Sequence, residues 1–308
     1  MSNLRAILIA GPTASGKSEA ALGLAEALGG TIINADSKQV YRDLRVLSAR
    51  PSAEDEMRAP HALYGFVPSQ EGYSVGRWLE DVETALAQVE TEGKMPIVTG
   101  GTGLYFKALL EGLSPVPDIP QEVRILWRDA ASEKRPEELH ALLCERDPEM
   151  AEQLRPSDPQ RIVRALEVLD ATGRSLAQWQ KQAGRPLLKA DEALCIFVTR
   201  PRDELYARIN ARFDAMVSEG ALDEVQALAA QQLDPDLPVM RAHGVKPLME
   251  LLSGTLTRDE AIERVKTDTR RYAKRQETWA KRNMIAWKRI EKKESKSLMS
   301  NIFSFIDV

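Results

Sequence analysis

Gly11, Pro12, Thr13, Ala14, Ser15, Gly16, Lys17 and Ser18 restrict the fold of this chain more than any other stretch. They fit G-x-x-x-x-G-K-[ST], and they sit where that pattern has meaning. The apolar run LRAILIA (4–10) precedes them, and SEAALGLAEAL, with helical composition and spacing, follows. Strand, loop and helix in that order let backbone N–H groups point inward at phosphate oxygens, while the helix N-terminus adds positive potential. Lys17 supplies a mobile cation and Ser18 a hydroxyl for Mg²⁺. All eight residues are assigned to a diphosphate and Ser18 also to the metal. The loop does not say what the diphosphate is attached to.

Two further runs, TIINA (31–35) and PIVT (96–99), read as buried strands, with the helical VGRWLEDVETALAQVE (75–90) between them. This alternation implies an α/β fold, a phosphate-loop parallel sheet with helices on both faces. The texture changes at SPVPDIP (114–120), where three prolines fall in seven residues, and a Lys/Arg/Glu-rich stretch of helical periodicity runs to about Lys189. The strand-like ALCIFVT (193–199) then returns the chain to the sheet. We therefore expect a catalytic core from 1–115 and 193–308 and a mostly helical insertion domain at 116–192. Within the core, LYARINARFDAMVSEGALDEVQALAA (205–230) is a long amphipathic pattern interrupted at Gly220, and LDPDLP (233–238) is a loop before a basic C-terminal helix.

The overall net charge of −4 conceals an uneven distribution. Residues 264–293 hold twelve Lys and Arg against three Asp and Glu, a net of nine positive charges, so the rest of the chain carries thirteen negative ones. A basic segment on an acidic molecule is the electrostatic footprint of a nucleic-acid partner, with a solvated basic helix as the alternative. No run approaches the roughly 18 to 20 apolar residues that a membrane span needs. The loop is reached by Gly11 without a cleavable signal, and the cytoplasm is the expected location. Cys144 and Cys195, 51 positions apart, suit neither a disulfide framework nor a metal site, and both are expected to be core thiols. His61, His140 and His243 are equally scattered, so zinc is not expected.

Asp36, in NADSKQVY (34–41), falls just beyond the second strand, at the carboxyl edge where open α/β sheets place their sites. A carboxylate there can hold the metal of a nucleotide hydrolase, accept a proton from an attacking group, or simply cap a helix.

Six segments together resemble the tRNA dimethylallyltransferase family, also called tRNA isopentenyltransferases. They are GPTASGKS (11–18), INADSKQVYRDL (33–44), VTGGTGLYFKALLEGL (98–113), DPQRIVRALEV (158–168), LYARINARFDAM (205–216) and TRRYAKRQETWAKR (269–282), in the family's order over most of the chain. The resemblance implies transfer of a dimethylallyl group from dimethylallyl diphosphate to the exocyclic amine of the adenosine 3′ to the anticodon. It further implies tRNAs that read codons beginning with U, Mg²⁺ dependence and a monomer working on one tRNA anticodon stem-loop. Carried over residue by residue, it gives the loop to the prenyl diphosphate, Asp36 to the acceptor amine as general base, Thr102 a place beside that amine, and Arg208 the leaving diphosphate. The tRNA contacts it implies are Asp36, Ser37, Lys38 and Gln39 around the base, Thr102, Arg124, and Gln160, Arg161, Ile162, Val163 and Arg164. Lys246, Lys274, Arg275, Gln276, Trp279 and Lys281 complete the set. Read from the residues alone, Thr102 could be a turn hydroxyl, Arg124 and Arg164 solvated helix charges, and Trp279 a core residue.

One segment departs from the family pattern. Many members carry Gly-Tyr and then a basic residue near position 244, whereas this chain has Gly244-Val245-Lys246. Three rival readings stay open on the residues alone: a small-molecule kinase using ATP, an adenylate prenyltransferase of the cytokinin type, and an RNA-binding switch that senses nucleotide.

Overall fold

The run before the loop becomes β1 (Ala6–Ala10), buried at every position, as a strand covered on both faces must be. The computed structural model describes residues 4–291 together with positions 302 and 304; Lys292 and Lys293 of the basic segment lie outside the described residues. In chain order the first part runs β1, α1 (Lys17–Leu28), β2 (Thr31–Asn34), α2 (Ala53–Arg58), β3 (His61–Ala62), α3 (Val75–Thr91), β4 (Pro96–Gly100) and α4 (Gly103–Glu111). The insertion supplies α5 (Gln121–Glu133), α6 (Pro136–Arg146), α7 (Pro148–Ala151), α8 (Pro159–Thr172) and α9 (Leu176–Gln180). There follow β5 (Ala193–Thr199), α10 (Arg202–Ser218), α11 (Ala221–Ala230), α12 (Val245–Leu252), α13 (Arg258–Asn283) and β6 (Lys288–Glu291). The six strands form one sheet in the order β3-β2-β4-β1-β5-β6, and every pairing is parallel.

The two-residue period of a strand sorts its side chains onto opposite faces. Leu8, Ile33, Val98 and Phe197 join one core with Trp78 of α3 and Phe106 of α4. Their neighbours Ile7, Ile32, Ile97 and Ile196 join the other with Ala21 and Leu24 of α1. The buried Trp78 stacks on Tyr105 at 4.4 Å and donates its indole N–H to the Asn34 carbonyl at 2.9 Å, which fixes α3 beneath the end of β2.

The sequence reading places helix throughout the basic segment. The helix instead ends at Asn283, and residues 288–291 form the edge strand β6 beside β5. Only Ile290 of KRIE is buried, so a single apolar residue and a row of backbone hydrogen bonds to β5 carry the assignment. The two-residue β3 leaves too short a pattern to be read at all.

The chain divides into one unit of residues 1–110 and 187–308 and another of 111–186, a few residues earlier at each end than the proline cluster suggests. Near these ends the backbones around Gly112 and Gly184 approach so closely that a Cβ on either would lie 2.4–2.5 Å from the other segment. The smaller unit has its own core, with Leu139, Leu143, Ile162 and Leu166 packed around Trp127, whose indole N–H donates to Asp170 at 2.8 Å. Cys144, expected inside, is exposed on α6, and Cys195 is half-buried; Cys144 falls on the solvent face, beside its i−4 neighbour His140, with Sγ 3.5 Å from that residue's Nδ1. No helix among the described residues is long and apolar enough to cross a membrane.

Candidate active site

The phosphate loop is held from outside by three arginines. Ala14 sits at φ +64°, a left-handed conformation that costs a non-glycine residue about 1–2 kcal/mol, and Arg208 fixes its carbonyl with an Nε–H bond of 3.1 Å. Arg200 donates in the same way to the Ser15 carbonyl at 3.0 Å, and Arg212 donates to the Thr13 hydroxyl. Leu205 and Ile209 of α10 pack with Ala273 of α13 against Ala14, so the helix that carries Arg208 and Arg212 is seated on the loop itself. Of the three arginines, only Arg208 was singled out from sequence. The i, i+4 pair 208/212, just after a strand that reaches the carboxyl edge, was the available signal for Arg212.

Lys17 donates to the Pro12 carbonyl at 3.4 Å. Burial pushes its ammonium down to about 8, against the upward pull of Asp36, with Arg212 adding to the depression. Burial likewise lowers the Arg212 guanidinium, which stays charged at any working pH. Gly16, Lys17, Ser18, Arg208 and Arg212 line a cavity of about 510 Å³, a strongly cationic space opening on the N-terminus of α1.

Across the sheet edge, buried Asn34 organises the turn after β2. Its carboxamide donates to the carbonyls of Asp36 and Leu63, both at 3.0 Å, and accepts the Asp36 N–H at 2.8 Å. One Asp36 oxygen accepts the Lys38 N–H at 3.0 Å. A turn follows instead of a helix, so Asp36 is no helix cap. Thr102 is tied to the same turn: its hydroxyl accepts the Ser37 N–H at 2.9 Å, and its own N–H donates to Ala35 at 3.1 Å. Asp36, Ser37 and Thr102 are thus brought together. Lys38 and Gln39 turn inward, Lys38 donating to the Pro238 carbonyl at 2.7 Å and Gln39 to those of Ser48 and Ala49. Burial holds the Lys38 ammonium down to about 8.

The third wall is α13. Gln276 accepts the Thr13 N–H at 2.9 Å and donates to the Gly101 carbonyl at 2.8 Å, so its amide is occupied by protein. Half-buried Trp279 lines, with Thr102, Leu104, Phe197, Tyr272 and Met284, a mostly apolar cavity of about 230 Å³. Tyr272 packs against His243 at 4.4 Å, whose imidazole is pushed down to about 4 by burial and by Lys38 and Arg275. Neither partner of this pair drew notice as a site residue, since both look like isolated aromatics in the sequence. Val245, standing where the family aromatic is expected, is wholly buried and points into the core, while Lys246 is exposed.

Beyond Arg258 at its start, the basic residues of α13 fall into two sets. Arg264, Lys266, Arg270 and Arg271 are paired with Glu250, Asp214, Glu263 and Asp268. Lys274, Arg275, Lys281 and Arg282 are exposed, and none makes an ion pair among the described residues.

The insertion, taken by itself, carries the remaining expected contacts. Gln160 and Arg161 are exposed at the start of α8, and Val163 and Arg164 are half-buried. Ile162 is completely buried in the insertion core, and its N–H donates to the Asp158 carbonyl at 3.2 Å, so its side chain packs and does not reach a partner. Arg124 has a buried Nε without a hydrogen-bond partner.

Among the described residues no group of three or more His, Cys, Asp or Glu is arranged to hold a metal ion. The donor set that does exist, the Ser18 hydroxyl beside the cationic cavity, suits an ion such as Mg²⁺ that keeps several waters and takes its other oxygens from a phosphate substrate.

Fold and site define a phosphate-loop α/β protein whose cationic loop cavity shares one sheet edge with a carboxylate and an apolar cavity. The family model described as IPP transferase matches residues 39–283, and a tRNA dimethylallyltransferase of Methylocella silvestris is 53% identical over 95% of this chain and 97% of its own. The chain belongs to the tRNA dimethylallyltransferase family. A second model, described as isopentenyl transferase, matches residues 4–64. Among solved structures, the tRNA isopentenylpyrophosphate transferase of Bacillus halodurans is 32% identical with a TM-score of 0.70, covering 98% of this chain and 95% of that one. A eukaryotic dimethylallyltransferase whose structures describe it acting on tRNA gives a TM-score of 0.81 at 26% identity, over 98% of this chain and 79% of that one.

Proposed function

We propose that this chain transfers the dimethylallyl group of dimethylallyl diphosphate to the exocyclic amine of the adenosine 3′ to a tRNA anticodon, in tRNAs that read codons beginning with U. It acts as a monomer in the cytoplasm. The observation that carries the reading is the shared edge: Gln276 ties the phosphate loop to the Gly101–Thr102 loop, and the Asp36 carboxylate acts on the charges of Lys17 and Arg212, so leaving group and acceptor are served together.

The amine is a poor nucleophile because its lone pair is delocalised into the ring, and help is needed at both ends of the displacement. As the N–C bond forms and the allylic C–O bond breaks, the amine proton passes to the Asp36 carboxylate. Loop amides, Lys17, Arg208 and Arg212 stabilise the charge that grows on the departing diphosphate. Ser18 would hold Mg²⁺, which supplies further charge neutralisation on the diphosphate when bound. Thr102, tied to Ser37, orients the acceptor turn. The base leaves its stack to enter, at a cost of a few kcal/mol, offset by phosphate contacts to Lys274, Arg275, Lys281 and residues of the insertion.

Three mixtures, each with Mg²⁺, test this: dimethylallyl diphosphate with an unmodified stem-loop, the same donor with AMP, and ATP with a panel of small alcohols. Prenylated RNA in the first alone is the expected result. Comparable rates with AMP favour the adenylate enzyme, and phosphorylation in the third or no prenyl transfer to RNA overturns the proposal.

A further inference from the structure

Gln276 belongs to the helix that carries the unpaired basic residues, yet its side chain points away from them and into the junction of two loops. One end of its amide accepts the N–H of Thr13 in the phosphate loop, and the other donates to the carbonyl of Gly101, the residue before Thr102. Both bonds lie in the 2.8–2.9 Å range of good N–H···O geometry. No other described side chain bonds to both loops.

The glycines of GGTG have a matching explanation. A Cβ at Gly101 would lie 2.3 Å from the Gln276 Nε2, and one at Gly103 would lie 2.3 Å from the Trp279 ring. Neither position has a positive φ, so backbone freedom is not what excludes a side chain there. What the glycines provide is room for α13 to press onto the loop, as expected where another element approaches a strand end closely.

We infer that Gln276 is a positioning residue, a bridge that sets the separation of the phosphate loop from the Gly101–Thr102 loop and so holds donor and acceptor at reacting distance. The inference rests on the proposed prenyl transfer for its kinetic consequence, because the two bridged loops are those assigned to the diphosphate and the amine. Misplacement by a fraction of an ångström is enough to slow a displacement without weakening the binding of either reactant. Since the bridge is part of α13, RNA seated on Lys274, Arg275 and Lys281 would bear directly on it.

Gln276→Leu removes both bonds at similar volume. Its kcat should fall about 10- to 100-fold, because both bonds that hold the two loops in register are lost, while Kd for the stem-loop and for inorganic diphosphate stays within about twofold. Gln276→Glu keeps the acceptor for Thr13 but turns a carboxylate oxygen toward the Gly101 carbonyl, so its kcat should fall at least as far as that of Gln276→Leu. Gly101→Ala should lower kcat in the wild-type background and cost markedly less in the Gln276→Leu background. A rise in stem-loop Kd with kcat intact would make Gln276 an RNA contact and overturn the inference, as would additive costs in that double-mutant cycle. Amide exchange at Thr13 reads the bridge without turnover: it should quicken in Gln276→Leu, and unchanged exchange also overturns it. Inactive wild-type protein with normal Thr13 protection would strike the proposed reaction and leave the bridge standing.

Discussion

Asn34 and Asp36 are bonded to each other twice: the Asn34 Oδ1 accepts the Asp36 N–H at 2.8 Å, and its Nδ2 donates to the Asp36 carbonyl at 3.0 Å. A third bond, from the same Nδ2 to Leu63, anchors the pair to the chain beyond β3. Asn34 is fully buried, so its removal would leave the Asp36 N–H and the Leu63 carbonyl without a partner, while the Asp36 carbonyl would keep the Gln39 N–H at 3.2 Å.

Asn34→Ala should therefore destabilise the fold by about 2–4 kcal/mol, since each orphaned buried group costs about 1–3 kcal/mol and the loop can recover only part of it. Asn34→Asp should be no milder, because it turns a carboxylate toward two carbonyl oxygens. Chemical denaturation measures both, and a loss below 1 kcal/mol in each would mean the turn keeps its shape without the asparagine.

For Lys17 the sign of the pH effect follows from burial. The ammonium is held down to about 8 from an ordinary 10.5, so in the free protein its charge is present below that value and is lost as pH rises through it. A bound diphosphate favours the charged form, and binding then takes up a proton over that interval. Diphosphate affinity should fall as pH rises above about 8, by up to tenfold per unit. Lys17→Ala should bind about 10- to 100-fold more weakly at pH 7, the loss of a charge-assisted bond of about 1.5–3 kcal/mol, and should lose most of that slope. Calorimetric titration from pH 7 to 10 measures both, and a flat wild-type profile would place Lys17 outside the cradle.

Asp36→Asn keeps the shape of the side chain and its acceptor for the Lys38 N–H but removes the proton acceptor. Its kcat should drop about 10²- to 10⁴-fold, the usual range for loss of a general base, with stem-loop affinity preserved. Wild-type turnover in this variant would reduce Asp36 to a group that shapes the turn.

The legible part of this protein is what short-range pattern encodes. The phosphate loop, four of the six strands and the break at Gly220 follow from local composition, and β5 matches its expected span residue for residue. The strand β6 escaped because KRIE has one buried residue and draws its assignment from β5, a partner far away in sequence. The same limit applies to the site. Asp36, Thr102 and Lys17 are marked by motifs, but Arg200 and Arg212 meet the loop across more than 180 residues; nothing local distinguishes Arg200 from a solvated arginine, and only the i, i+4 spacing from Arg208 hints at Arg212. The family resemblance makes Gln276 a contact to RNA; its inward orientation depends on the glycines at 101 and 103. Val245 lies where an aromatic was expected, and α12 turns that position into the core.

The basic residues of α13 allow a test in which the protein supplies its own control. Arg264, Lys266 and Arg270 already have carboxylate partners, whereas Lys274, Arg275, Lys281 and Arg282 make no ion pair among the described residues, so only the second set is free to release counterions from RNA. If Lys274 and Lys281 meet phosphates, the logarithm of stem-loop affinity should fall linearly with the logarithm of salt concentration. Each of Lys274→Ala and Lys281→Ala should then reduce the slope by about 0.7 where the phosphate is in single-stranded RNA and about 0.9 where it is in a duplex. Arg264→Ala should leave the slope unchanged, because that guanidinium is already neutralised by Glu250 at 2.6 Å. Filter binding of a labelled stem-loop between about 50 and 300 mM salt measures all three, within the range where such contacts change affinity by orders of magnitude. Equal slopes for all three variants would make the positive charge of α13 a diffuse field instead of a set of discrete phosphate contacts, and a flat wild-type response would remove the helix from the RNA interface altogether.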